Sequence, residues 1–321
     1  MKLSQPIPLE EIQNAQARLR GLIIHTPLVR LETEQSSCEI YLKLENMQPT
    51  GSFKIRGAGN ALLLASQQDL AKGVWTASAG NMAQNVAWIA KKMGILCSVM
   101  LPEDAPAVKV TAIAQLGARI IKVPFSKYQE IQQQYTYDGV EGLLVHPFAD
   151  RHVMAGNGVL ALEILQELPE VEAILVPYGG GGLSCGIASA LRALRPDIKL
   201  LACEVQTGAP LAASLAAGTP VRVDFTRSFI SGMGAPFVFP DMWPLVSHLI
   251  DSSLVVTLPE VCEAISLLAE TKHVIAEGAG AVSVAAALHH LGEAKRVACI
   301  VSGGNIDPKT LIKILEGYVP E

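Results

Sequence analysis

The sequence predicts an α/β protein built on parallel sheets with helices on both faces. Two observations carry this expectation. Short runs rich in branched apolar residues alternate with longer helix-like segments, and those runs are apolar throughout instead of alternating with polar residues. Strands covered on both faces have no polar side, and parallel neighbours need a crossover helix between them. At 321 residues the chain suits two domains or one large one.

The elements follow in order. "GVWTAS" at 73–78 reads as a strand, and "NMAQNVAWIAKKMG" as its helix, with Asn81 able to cap it and Gly94 to end it. "ILCSVMLP" leads into "APAVKVTAIAQLGA", which ends near Gly117, and "RIIKVP" leads into a Gln-rich helix near 126–135. That helix is the most polar stretch and is expected to lie outside as a solvated face. "VEAILVP" runs into "YGGGGLSCGIASALRAL", "KLLACEV" into a small-residue helix, and "RVACIVSGGN" into "IDPKTLIKILEGY". No fixed-period repeat or low-complexity tract interrupts the pattern.

Composition excludes several classes of function. Half of the residues are hydrophobic and 17% are charged, which fits a compact globular chain. A net charge of −5 offers no basic field for nucleic acid or anionic lipid. The N-terminal "MKLSQPIPLEEIQNAQ" has no apolar core of a secretory signal, and the charge-free run Ala173–Leu191 is broken by Pro177 and glycines. Six cysteines, Cys38, Cys97, Cys185, Cys203, Cys262 and Cys299, form no C-x-x-C pair and read as reduced, buried thiols. A cytoplasmic location is expected.

In open parallel sheets, sites form where strand ends enter helix N-termini. Three such loops here are rich in small residues: "SAGN" (78–81), "YGGGGLS" (178–184) and "SGGN" (302–305). Gly179, Gly180, Gly181 and Gly182 would leave backbone N–H groups free to converge on an anion at a helix N-terminus, a phosphate above all. A plain flexible turn is the alternative. G-x-G-x-x-G fails because Ser184 and Cys185 stand where glycines are needed, and no G-K-[ST] occurs.

Lys54 lies in "ENMQPTGSFKIRGAGNAL" (45–62), behind Gly51, Ser52 and Phe53 and at the head of a helix-like run. Taken alone, it reads as a surface charge. In this setting, burial and the positive helix end would both lower its pKa and expose a free amine. A free amine beside a phosphate cradle points to a Schiff base with a phosphorylated aldehyde, and pyridoxal 5′-phosphate is the biological one that fits.

"ENMQPTGSFKIRGA", "SAGN-x-AQ", "GGGGL" and "SGGNID" resemble, in order and spacing, the motifs of the threonine/serine dehydratase family, and the likeness covers nearly the whole chain from "HTPLVRL" (25–31) onward. These are pyridoxal-phosphate enzymes of the tryptophan-synthase-β fold type. The resemblance implies two domains, each an open, mostly parallel twisted sheet with helices on both faces. Residues 1–66 and 148–321 would form the large cofactor-binding domain, and 67–147 a small mobile domain carrying the substrate loop. It makes Lys54 the Schiff-base lysine and Cα base, with Phe53 beside the ring and Asn81 on the ring hydroxyl. Gly179, Gly180, Gly181, Gly182 and the Leu183 amide would hold the phosphate, and Ser302 would face the pyridine nitrogen. Ser78, Ala79, Gly80, Asn81 and Met82 would seat the substrate carboxylate. A serine partner leaves the ring a weaker electron sink than a carboxylate would, which favours β-elimination over transamination. The implied activity is dehydration and deamination of a β-hydroxy amino acid to a 2-oxo acid and ammonia, in a homodimer.

Several positions depart from the family pattern. Met82 replaces a histidine: either a neutral swap, or a softer pocket for a bulkier β-substituent, as in phenylserine or hydroxyectoine-derived amino acids. Ala79 stands where racemases carry a second catalytic serine, so racemisation should be weak. Ser231 replaces an acid beside Gly232. Glu204 is a weak candidate metal ligand, because Pro210 occupies its partner aspartate's position; no metal is expected. Glu277 would either order the site or cap a helix, Arg56 would anchor the domain contact, and the histidines show no metal spacing. The chain ends soon after "SGGN", so a C-terminal regulatory module is not expected. The rivals are a β-replacement synthase of the same fold, a silent pyridoxal-phosphate-binding sensor, and a nucleotide-binding α/β protein without lysine chemistry.

Overall fold

The structure, a computed structural model, describes residues 3–320. The first part of the chain forms α1 (Leu9–Arg18), β1 (Leu28–Leu31), β2 (Glu39–Leu44), a 3-10 turn at Glu45–Met47, α2 (Lys54–Leu64) and α3 (Gln67–Leu70). Next come β3 (Val74–Ala77), α4 (Asn81–Met93), β4 (Cys97–Pro102), α5 (Ala107–Gln115), β5 (Arg119–Val123), α6 (Phe125–Gln134) and β6 (Leu143–Leu144). Then α7 (Arg151–Glu167), β7 (Ala173–Pro177), α8 (Gly182–Leu194), β8 (Lys199–Val205), α9 (Pro210–Ala217) and α10 (Trp243–Leu249) follow. The last are β9 (Ser252–Val256), α11 (Leu258–Lys272), α12 (Gly278–His289), β10 (Arg296–Val301) and α13 (Pro308–Leu315).

The strands form two sheets, ordered β1-β2-β10-β7-β8-β9 and β5-β4-β3-β6. Every pairing is parallel except β1 against β2. That exception follows from their short connection, which has no room for a crossover helix. The α/β class with parallel sheets and helices on both faces is what the sequence predicts. One apolar cluster sits under α1, α7, α8 and α10, and a second lies on the sheet's other face under α11, α12 and α13. Both faces being covered explains why the strands are apolar throughout.

Strand order decides where a ligand can enter. From β7 the chain winds outward through β8 and β9, then returns to β10 on the other side of β7, so the larger sheet reverses between β7 and β10. The smaller sheet winds from β3 through β4 to β5 and returns to β6, so it reverses between β3 and β6. Crevices open at the carboxyl ends of strands at such reversals. The segments leaving these four strands are Ser78–Asn81, His146–Phe148, Tyr178–Gly181 and Ser302–Asn305.

Helix α2 starts at no strand end, and buried charge fixes it instead. Arg56 is fully buried and grips two carboxylates at once. Its Nε and Nη2 donate to Glu45 at 2.7 and 2.8 Å, and its Nη1 and Nη2 donate to Glu163 on α7 at 2.6 and 2.9 Å. Lys43, buried in β2, bonds Glu163 (2.9 Å), Glu167 (2.8 Å) and the Thr26 carbonyl (2.7 Å). The expectation that Arg56 anchors a contact between domains is corrected. Its carboxylate partners lie on the 3-10 turn after β2 and on α7, which packs on the larger sheet, so it ties α2 to that turn and to α7.

Two local expectations also change. Gly80, not Asn81, is the N-cap of α4; Asn81 is the first helical residue, and its side chain is drawn across to Glu277 and Asn305. Gly94 ends the helix in the left-handed conformation (φ 68°), as expected. The Gln-rich α6 is not merely a solvated face. Ile131 is buried, and Tyr128 and Gln132 turn inward to the Ala77 carbonyl at 3.4 and 3.3 Å, covering the end of β3.

Candidate active site

Backbone pairing brings Lys54 to the end of β10. The Phe53 N–H donates to the Ser302 carbonyl at 3.0 Å, and Ser52 bridges to Gly303. Lys54 follows as the first residue of α2, partly buried, and its Nζ donates to the Pro147 carbonyl at 2.8 Å. Phe53 is buried, with the ammonium 4.9 Å from its ring centre. Among the described residues its hydrogen-bond partner is that carbonyl, and the carboxylate acting on its charge is Glu277. Burial of its ammonium lowers the pKa to about 8, against a smaller opposing pull from the Glu277 charge. Such a shift raises the share of neutral amine near neutral pH.

The glycine loop runs from β7 into α8. The Gly181 φ of 89° is the left-handed region that glycine tolerates best. Gly180 and Gly182 lie so close to Phe148 that any side chain at either would collide with it. Among the described residues, the amides of Gly179, Gly180, Gly181, Gly182 and Leu183 donate to no protein acceptor. Five unpaired donors at the head of a 13-residue helix form an anion cradle.

After the neighbouring strand β10, the Ser302 hydroxyl is buried and donates to the Ala279 carbonyl at 3.3 Å. On the smaller sheet, the Gly80 N–H donates to the Ser78 hydroxyl at 3.2 Å. The amides of Ala79, Asn81 and Met82 have no protein acceptor among the described residues. Met82 is only 1% exposed and belongs to the apolar cluster shared by α2 and α4.

Sequence reasoning assigned His146 no chemistry, yet it adjoins the lysine. Its Nδ1 accepts from the Ala149 N–H (2.8 Å), so Nε2 carries the hydrogen it shares with the Gln132 carbonyl (3.1 Å). Burial pushes its pKa down to about 4, so the ring stays neutral and shapes the turn whose Pro147 carbonyl holds Lys54. The signal was hard to read, because β6 before it has only two residues. Asn305 was also missed, although it stands in "SGGN".

Glu204 is engaged elsewhere. Its carboxylate accepts from the Leu211 N–H (2.9 Å), the Ala212 N–H (2.7 Å) and the Ser253 hydroxyl (2.7 Å) at the head of α9. All six cysteines are free thiols.

Lys54, the open amides at the head of α8 and the Ser302 hydroxyl thus lie at the carboxyl ends of strands in two mostly parallel sheets. The family model described as "Pyridoxal-phosphate dependent enzyme" matches residues 19–303. The chain belongs to that family, and its cofactor is pyridoxal 5′-phosphate. Over 315 residues it is 38% identical to an L-threonine ammonia-lyase of Thermotoga maritima, covering 96% of this chain and 78% of that protein. A serine racemase of Oryza sativa subsp. indica is 34% identical over 309 residues, covering 93% of this chain and 91% of that one. The solved structure of maize serine racemase superposes with a TM-score of 0.89 at 32% identity over 98% of both chains. Among the described residues, no helix is long and apolar enough to cross a membrane.

Proposed function

We propose that this chain removes water from a β-hydroxy-α-amino acid, releasing a 2-oxo acid and ammonia. The observation that carries this reading is the Lys54 amine held at the Pro147 carbonyl, next to the Phe148 on which Gly180 and Gly182 pack, with the neighbouring Phe53 bonded to the Ser302 backbone. Pyridoxal phosphate supplies an aldehyde that captures an amine and a ring that withdraws electrons from Cα. The residues present fit it: the amides of Gly179–Leu183 would hold the phosphate, Phe53 would lie beside the ring, and Asn81 would bond its hydroxyl.

Lys54 Nζ would first hold the cofactor and then, once displaced by the substrate amine, take the proton from Cα. Its lowered pKa suits it to both tasks near neutrality. Ser302 would meet the pyridine nitrogen with a hydroxyl. It cannot enforce protonation as a carboxylate does, and this favours loss of a β-substituent. The open amides at the head of α4, with Ser78, would seat the substrate carboxylate. Ala79 has no proton to give, so elimination should exceed racemisation. The full burial of Met82 supports a packing role, which favours threonine and serine over bulkier substrates in this reading.

Residues 67–147 would close over the site as a mobile unit, and the chain would work as a cytoplasmic homodimer. The experiment is direct. Purified protein should be yellow, be fixed by borohydride at Lys54, and release 2-oxo acid and ammonia from a panel of threonine, serine, phenylserine and hydroxyaspartate. Lys54→Ala should lose the covalent chromophore and turnover together. A thioether made from a supplied thiol without ammonia would indicate β-replacement, and a yellow protein inert to every substrate would indicate a sensor.

A further inference from the structure

Glu277 occupies the N-cap of α12, yet its side chain makes no capping bond there. It turns instead into the crevice, 6% exposed, where its Oε1 accepts from Asn81 Nδ2 at 2.6 Å. The helix forgoes a side-chain cap there, and the carboxyl bonds across the crevice instead.

The hydrogen-bond polarity can be traced from its far end. The Thr50 carbonyl can only accept, so Asn305 must present Nδ2 to it, at 3.0 Å. The second Asn305 hydrogen goes to Asn81 Oδ1 at 2.8 Å. Asn81 is thereby forced to point Nδ2 at Glu277. One hydrogen is taken there, and the other has no acceptor among the described residues. Both ends of the chain, a backbone carbonyl and a carboxyl, agree on this orientation. The amide cannot flip without breaking at least two bonds.

Glycines make room for the chain. A side chain at Gly303 would collide with Glu277 Oε1, and a Cβ at Gly51 would sit 2.6 Å from Asn305 Oδ1. Thus Gly51 beside Lys54 and Gly303 in "SGGN" serve this network. Asn81 is held from its other side as well, its carbonyl accepting from Asn85 Nδ2 at 2.7 Å.

We propose that Glu277 and Asn305 are positioning residues that lock the Asn81 amide with one N–H presented to the cofactor's ring oxygen. The proposal rests on the pyridoxal-phosphate reading above and deepens it. Neither residue need touch the substrate.

The test uses the holoenzyme with Glu277→Ala, Glu277→Gln and Asn305→Asp. It reads the visible absorption band of the bound cofactor, cofactor affinity by titration of apoprotein, and kcat against KM for threonine. Asn305→Asp cannot donate to Asn81, and Glu277→Ala cannot accept from it. Both should shift the band and weaken cofactor binding roughly tenfold to a hundredfold, the worth of one hydrogen bond to a charged group. kcat should fall while KM changes little. Glu277→Gln keeps an acceptor oxygen and should restore most of the loss, which a role through charge alone would not allow. If Glu277→Ala fails to fold, Asn305→Asp decides. A wild-type chromophore left unaltered by Asn305→Asp, or a Gln variant as damaged as the Ala variant, overturns this proposal alone. A wild-type protein with no chromophore overturns the functional reading and takes this proposal with it.

Discussion

Replacing Arg56 with methionine tests whether α2, and with it Lys54, is held by buried charge. Methionine fills much of the same volume but leaves Glu45 and Glu163 without the guanidinium, so four hydrogen bonds of 2.6–2.9 Å vanish. Glu163 keeps Lys43 at 2.9 Å, and Glu45 keeps the Thr26 hydroxyl at 2.5 Å, so neither carboxylate is wholly abandoned. Breaking a buried pair from one side costs about 3–5 kcal/mol, because the surviving charge is stranded. At about 2 °C per kcal/mol for a chain of this size, the melting midpoint should fall by roughly 6–10 °C. Thermal unfolding followed by circular dichroism at two salt concentrations measures it, and the loss should be almost insensitive to salt because the group is buried. Adding Glu45→Gln and Glu163→Gln to Arg56→Met should recover part of the loss by removing the stranded charges. A midpoint within 2 °C of wild type would refute the reasoning, since it would mean that the two carboxylates are hydrated or protonated in the folded protein.

Cofactor capture by apoprotein should follow the Lys54 amine. Its pKa of about 8 lies below the usual 10.5, so the capture rate should climb about tenfold per pH unit below 8 and level off above it. The same shift makes the unfolded chain bind more protons between pH 8 and 10.5, so the lysine's burial penalises the fold below 8 and ceases to do so above 10.5. A capture rate flat from pH 6 to 9 would contradict this. Gly180→Ala should force the cradle away from Phe148, costing about 1–3 kcal/mol and weakening phosphate binding, with partial relief from Phe148→Leu. Titration of apoprotein with cofactor reads both variants. Glu204→Gln can no longer accept from all three donors and should lose about 1–3 kcal/mol of stability, while turnover should survive chelators, since the carboxylate is held by protein donors.

Local sequence was enough to mark the strands and the small-residue loops that leave them. Unbroken apolar strands announced buried parallel sheets, because only a strand covered on both faces can afford them. Four consecutive glycines before a helix announced a run of open backbone N–H groups, because backbone donors at a helix end are a local property. Lys54 was legible because small and aromatic neighbours surround it within the chain itself. Other features depended on partners far away in sequence. Arg56 could not be placed until Glu163, 107 residues on, closed around it. Glu277 could have been a cap, and only the arrival of Asn81 from 196 residues away shows that it is not. His146 followed a strand too short to be read, and Gln132 and Tyr128 gave α6 an inner face that polarity alone concealed.

The sequence by itself determined the α/β class, the strand-ending loops and the lysine at the head of α2, since each is written in contiguous residues whose conformational limits act locally. Tertiary structure alone decided which loops meet, because strand order sets the two reversal points, and it alone fixed the polarity of the Asn305–Asn81–Glu277 chain. Hydrogen bonds and ion pairs between distant residues have no local signature. They exist only once the sheets have brought their partners within 3 Å of one another.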